Sequence, residues 1–162
     1  MDNEREIALC VAMSFLGKPY LWAGRTPVFG FDCSGLVAEC LRSVGLLERN
    51  EDLNSEGLRA KFEHMKSKPV VGGLLFWDWQ NEGRARHVEM IISITGSGEL
   101  YTIGAADGDR TVKNPARADI RRAFVKIRPA RPDAMLCVDP FSDLDSVVLS
   151  PSKIWDCAAC EG

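Results

Sequence analysis

The chain has 162 residues, enough for one ordinary domain whose core needs no staples. Hydrophobic residues make up 46% and charged residues 27%, a globular balance, and a net charge of -3 points neither to nucleic acid nor to an anionic membrane.

The opening "MDNEREIALCVAMSFLG" begins with acids and lacks a basic n-region, and its apolar residues are periodic, not continuous. It does not read as a secretory signal, and no stretch is long enough to span a bilayer, so synthesis in the cytoplasm without a signal peptide is expected. The six cysteines (Cys10, Cys33, Cys40, Cys137, Cys157 and Cys160) are then expected as free thiols. Ile7, Cys10, Val11, Ser14 and Phe15 follow helical spacing, which predicts a helix over 3–16 ended by Gly17 and Pro19, with Cys10 on its apolar face. Residues 18–32 read as an ordered loop. Leu36, Val37, Cys40, Leu41 and Val44 form a second apolar stripe, predicting a helix over 33–44 stopped by Gly45. "NSEGLRAKFEHM" begins with capping residues and reads as a short third helix. The period then changes. "GGLLFWDW", "HVEMIISI", "ELYTIGA" and "AFVKIRP" are β-rich runs, "TGSG" marks a hairpin turn, and "NPARADIRR" is a candidate helical turn. Beyond Pro129 the chain reads as irregular. Helices followed by a meander of strands predict an α+β fold with helices packed on an antiparallel sheet. The organisation expected is one domain over 1–141 and a C-terminal tail over 142–162, packed on the domain or mobile.

Cys33 opens the second helix in "FDCSGLV". The thiolate is the nucleophilic form, and a helix N-terminus favours it. The Cys33 N–H would point where an oxyanion could form, and the small Ser34 and Gly35 would let a substrate backbone come close. Of the two histidines, His64 lies in charged "KFEHMKSK" and reads as a solvated surface residue. His87 begins a β-run, where the sheet would fix it while leaving it open to solvent, which suits a general base. A lone cysteine at a helix start is more often structural, so the pair alone does not establish catalysis.

The pair is not alone. "GKPYLWAGRTPVFGFDCSGLV", residues 17–37, resembles the signature of the NlpC family of bacterial cell-wall cysteine peptidases, and "GGLLFWDW" and "HVEMII" resemble its strands before and at the histidine. The family's usual Gly-Asp appears here as Gly72-Gly73. "HVEMII", "TIGAADGD", "AFVKIRP" and "VDPF" together resemble a branch found in tailed phages and prophages. The resemblance implies a papain-like α+β fold, with one helix carrying the cysteine and an antiparallel sheet carrying the histidine. It implies hydrolysis of an amide in the peptide stem of peptidoglycan, typically the γ-D-glutamyl bond to diaminopimelate or lysine, with no metal or organic cofactor. Cys33 would be the nucleophile, His87 the base, and the Tyr20 hydroxyl with the Cys33 N–H the oxyanion site. Asp32 and Ser34 would bind polar ends of the substrate. Trp22 would be core rather than contact.

The family usually orients its histidine with a His, Asn or Gln on the next strand, and that position falls on Gly104, which has no side chain to offer. Glu89, two residues after His87 and on the same strand face, is the first replacement. Asp107 is the second, and Thr102, a backbone carbonyl or a water follow. The expected geometry has Nδ1–H held and Nε2 facing the thiol. Glu89 could instead be solvated or paired with Arg86. "CAAC" at 157–160 has redox or half-zinc spacing, but with no second pair it reads as two unremarkable thiols. Trp77 and Trp79 read as alternating on one strand face, and the charges of "RRAFVKIRPAR" as solvated. Three functions stay open: a peptidoglycan amide hydrolase of a phage tail or of lysis, a catalytically degraded binding or structural module, and a thiol hydrolase or acyltransferase acting on another amide or ester. Expected partners are the peptidoglycan stem and phage tail or virion proteins, with action at the cell wall after delivery or lysis, or within a virion.

Overall fold

The four β-rich runs pair into one antiparallel sheet, and a fifth strand joins them from the segment whose composition reads as irregular. The computed structural model describes residues 3–142. Its elements are α1 (Asn3–Ser14), β1 (Arg25–Thr26), β2 (Gly30–Phe31), α2 (Cys33–Arg42), α3 (Ser55–Phe62) and a 3-10 turn (Glu63–Met65). Then come β3 (Leu74–Trp77), β4 (His87–Ile94), β5 (Leu100–Ala105), α4 (Pro115–Arg121), β6 (Val125–Pro129) and β7 (Leu136–Val138). The short β1 and β2 form a hairpin, and the large sheet has the order β6-β5-β4-β3-β7. The α+β class expected from the sequence is the class observed.

α1 stops at Ser14, two residues before the predicted end, and Gly17 turns the chain with a left-handed φ of 80°. Its buried face is Ala8 and Ala12; Cys10 is exposed, contrary to expectation. Leu9 and Val11 of the same helix pack, half-buried, against the core, while Ile7 and Cys10 lie on its exposed side. α2 is set by its cap. Asp32 has extended backbone, and its Oδ1 accepts from the Gly35 N–H at 2.7 Å and from Ser34 Oγ at 2.8 Å. Gly35 has a spatial reason: a Cβ there would overlap the backbone carbonyl of Gly24. Leu36, Val37, Cys40 and Leu41 are buried on the sheet side, each large aliphatic stabilising by about 1.5–3 kcal/mol. α2 ends at Arg42, short of 44.

β4 carries two functions on two faces. Val88 and Met90 join the main core under the helices, with Leu74, Phe76 and Ile103. Ile91 joins a second cluster with Leu75 and Trp77. By alternation His87 and Glu89 share the face of Ile91. β4 and β5 are joined at the expected turn, where the Thr95 N–H donates to the Glu99 carbonyl at 2.9 Å. β7 pairs with β3, and Asp139 just beyond it takes a two-pronged ion pair from Arg5 of α1 at 3.0 and 3.1 Å. The Arg5 guanidinium also lies 4.9 Å over the Phe141 ring. The rest of the 142–162 tail, with Cys157 and Cys160, lies outside the described residues.

Candidate active site

α2 points its first turn at the start of β4, and this brings Cys33 to His87. The imidazole lowers the thiol's pKa, and Ser55 Oγ, at the start of α3, lies 3.5 Å from Cys33 Sγ. Burial would push the Cys33 thiol up, but the charge and hydrogen bond of His87 outweigh it and hold the thiol below its ordinary value. Burial would push His87 down, but Cys33 and Glu89 together raise it from 6.5 to about 9. The two shifts run in the directions that favour a thiolate–imidazolium pair, and they belong to the pair rather than to either residue alone. His87 is only 9% exposed, not open to solvent as its strand-end position suggests. Trp77 and Trp79 cover it, with ring centroids 5.7 and 5.6 Å from the imidazole.

Glu89 is 0% exposed, and its Oε1 lies 2.7 Å from His87 Nε2. It is neither solvated nor paired with Arg86, which pairs with Glu82. With Nε2 engaged by Glu89, Nδ1 is the nitrogen left for the thiol, so the ring is turned opposite to the expected orientation. Burial would raise the Glu89 carboxyl, yet His87 and then Arg128 hold it down at about 2. The reason Gly104 is a glycine now shows. Its φ is not left-handed. A Cβ there would lie 2.5 Å from Glu89 Cγ, 2.9 Å from Cδ and 3.0 Å from Oε1. The glycine leaves the space that the carboxylate occupies. Thr102 donates to Glu89 Oε2 at 2.5 Å. Asp107 does not reach His87; it is taken up by Lys126, Arg128 and Arg131 at 2.6, 3.1 and 3.2 Å.

The cleft over the pair has a volume of about 760 Å³, and Tyr20, Asp32 and Ser34 line it. Burial first, then the charges of Cys33 and Asp32, push the Tyr20 phenol upward, so it stays a protonated donor. The Cys33 N–H, first in α2, has no intrahelical acceptor. Asp32 Oδ1 and Ser34 Oγ are bonded to each other, and Asp32 Oδ2 takes no hydrogen bond among the described residues. Trp22 is not core: it is 52% exposed and lines the cleft. Trp79 lies past the end of β3, 49% exposed on the cleft, rather than flat on a sheet face. Asp78 builds that loop by accepting from the N–H groups of Gln80, Gly83 and Arg84. Ser55 and Arg128 are the contacts that sequence reasoning missed. A polar residue opening a helix was the only signal for Ser55. His64 lies exposed on the 3-10 turn, away from the cleft. Among the described residues no cluster of His, Cys, Asp or Glu could hold a metal ion.

Comparison with known proteins gives a consistent picture. The model of the NlpC/P60 family matches residues 17–128. The murein DD-endopeptidase MepH of Escherichia coli is 33% identical over 93 residues, 57% of this chain and 34% of MepH. A gamma-D-glutamyl-L-lysine dipeptidyl-peptidase of Bacillus cereus is 40% identical over 81 residues, 48% of this chain and 23% of that protein. The matched region spans about a third or less of the length of these curated relatives. Among solved structures, the peptidoglycan hydrolase RipB of Mycobacterium tuberculosis has a TM-score of 0.58 at 20% identity, over 85% of this chain and 64% of that one, a likeness of fold.

Proposed function

The chain belongs to the NlpC/P60 family, and from that premise we propose that it is a cysteine endopeptidase that hydrolyses an amide in the peptide stem of bacterial peptidoglycan. The observation that carries the reading is the buried Cys33–His87–Glu89 line at the floor of an open cleft. A degraded site would have no reason to keep a charged carboxylate buried against the imidazole, since removing a carboxylate from water is costly even when it is paired. The intact line therefore favours the enzyme over a binding module.

In this mechanism the Cys33 thiolate attacks the amide carbonyl carbon. The oxygen takes the charge and is met by the Cys33 N–H and the Tyr20 hydroxyl. His87, already an imidazolium, gives its proton to the leaving nitrogen as the C–N bond breaks, leaving a thioester on Cys33. Neutral His87 then takes a proton from water, whose oxygen attacks the thioester, and the acid leaves with the thiolate restored. Glu89 holds the imidazole through both steps. Asp32 Oδ2, which takes no hydrogen bond among the described residues, would accept from a cationic or amide N–H end of the stem.

The bond we assign is the γ-D-glutamyl bond to a diamino acid. The Bacillus cereus relative carries that specificity in its name, whereas MepH is named for a DD bond, so relatives differ on this point. The likeness of four segments to a phage branch supports delivery by a phage particle or at lysis, to act at the wall. Digestion of purified lysine-type and diaminopimelate-type peptidoglycan, with mass analysis of the products, tests the reading. Fragments ending in D-glutamate are expected. A DD cut would overturn the bond assignment, and no release from either wall type by the folded protein would overturn the enzyme.

A further inference from the structure

A buried carboxylate needs several partners to replace its lost hydration. Glu89 has His87 at Oε1 and Thr102 at Oε2. Its third partner is Arg128 of β6, whose Nη2 reaches the same Oε1 that His87 uses. Arg128 continues through Nη1 to Asp107 Oδ1 at 3.1 Å. Asp107 is tied to Arg131, whose guanidinium lies 5.0 Å over the Trp79 ring, and Trp79 packs back on His87. A chain of contacts thus leaves His87 through Glu89 and returns through Trp79, with Asp107, Arg131 and Trp79 on the cleft wall.

Arg128 is not held there for its own stability. Its side chain is 16% exposed, and its Nε–H is buried with no acceptor among the described residues. An unsatisfied buried donor is destabilising, a cost that a solvated arginine on an edge strand would avoid.

We propose that Arg128 is a positioning residue for His87: it clamps the Glu89 carboxylate against the imidazole and anchors it to Asp107 at the cleft wall. The proposal rests on the assignment of Cys33 and His87 as the reacting pair. Its electrostatic consequence has a definite sign. A cation sharing Oε1 offsets part of the charge that Glu89 presents to the imidazolium. Without it the carboxylate acts undiminished, so the imidazolium survives to higher pH and gives its proton to the leaving amine less readily. The charged and titratable groups around the reacting pair are Cys33 of α2 and its cap Asp32, Glu89 on β4, and Tyr20 before β1. Glu56 of α3 and Arg84 and Arg86 ahead of β4 line the same cleft. Asp107 follows β5, Lys126 and Arg128 lie on β6, and Arg131 lies beyond it. Only Arg128 touches Glu89 among these cations.

The chain has two histidines, so imidazole ¹⁵N spectra carry two signals, with exposed His64 as the internal reference. In Arg128→Gln the His87 titration should move up by about one pH unit, with His64 unmoved. On peptidoglycan fragments kcat should fall while KM changes little, and Arg128→Lys, which keeps the charge, should return the titration towards wild type. Asp107→Asn should move it the other way, because Arg128 then turns its full charge on Glu89; this variant decides the matter where Arg128→Gln does not fold. An unmoved His87 titration in folded Arg128→Gln, or in Asp107→Asn where the first variant is lost, would overturn the clamp. A titration that moves as stated, in a protein that cleaves no peptidoglycan, leaves the clamp standing and overturns the proposed function instead.

Discussion

Placing any side chain at residue 104 should disable the site, and placing the right one while removing Glu89 should recover part of it. A Cβ on Gly104 would sit 2.5 Å from Glu89 Cγ and 3.0 Å from Oε1. Real Cβ atoms do not come this close, so Glu89 must move. It has nowhere to go: it is fully buried and pinned by His87, Thr102 and Arg128. Gly104→Ala therefore breaks the hold on His87. Overpacking of this kind costs about 1–3 kcal/mol of stability. Turnover should fall by about a hundredfold, the low end of what a general acid–base group contributes. Glu89→Ala opens the space but leaves no orienting group, with a similar loss. Glu89→Ala combined with Gly104→Asn puts an amide on the neighbouring strand, where the family usually carries its orienting residue. Steady-state release of stem peptides, with melting curves to separate misfolding from misorientation, reads all four proteins. The double variant should exceed both singles. Full activity and an unchanged Tm for Gly104→Ala would refute the reasoning, because the glycine would then not be making room for the carboxylate.

Iodoacetamide at neutral pH should label Cys33 well before Cys40 or Cys137, since burial pushes Cys40 up to about 12 and raises Cys137, while His87 lowers Cys33; equal rates by mass spectrometry would remove the ion pair. The pH profile of kcat/KM should be flat across neutrality and fall on the alkaline side near pH 9, where the raised His87 loses its proton and can no longer protonate the leaving amine. Glu89 is held low, so its contribution to stability is full above its ordinary 4.5 and is lost as pH falls towards about 2. Acid melting of wild type should therefore be steeper than that of Glu89→Gln over this range. Trp79→Ala and Trp22→Ala should raise KM more than they lower kcat, because both rings stand on the cleft wall and neither reaches the thiol; Trp79→Ala should in addition loosen His87.

The candidate pair was legible because Cys33 sits in a long, gapless run of fixed types, and because a strand start after a charged loop is a recognisable place for His87; the structure brings the two together. Glu89 was legible from the two-residue period of a strand. Gly104 was readable only as a loss: a sequence shows the missing side chain, not the neighbouring carboxylate that fills its space. Arg128 was hidden for a similar reason. In "VKIRP" it looks like a solvated charge, and only the cross-strand register, Thr102 against Arg128 on one side and Ile91 on the other, brings it beside Glu89. Trp22 and Trp79 misled because a large apolar ring is usually core, while here both form the rim of a cleft. β7 was missed because three residues among prolines and arginines carry no periodicity, and its pairing comes from β3, some sixty residues earlier in the chain.

That late strand governs how the protein can be made. β3 lies between β4 and β7, and the α1 residue Arg5 waits for Asp139, 134 residues on. Contacts of such sequence separation slow folding, because most of the chain must be ordered before they form. On the ribosome, one edge of the apolar run "LLFW" has no partner until residues 136–138 emerge. An unpaired apolar edge is a template for pairing with another chain. A product cut at Pro129, just past the family match, would keep Cys33, His87, Glu89 and Arg128 and yet leave that edge bare. Its failure would be aggregation during synthesis rather than loss of chemistry.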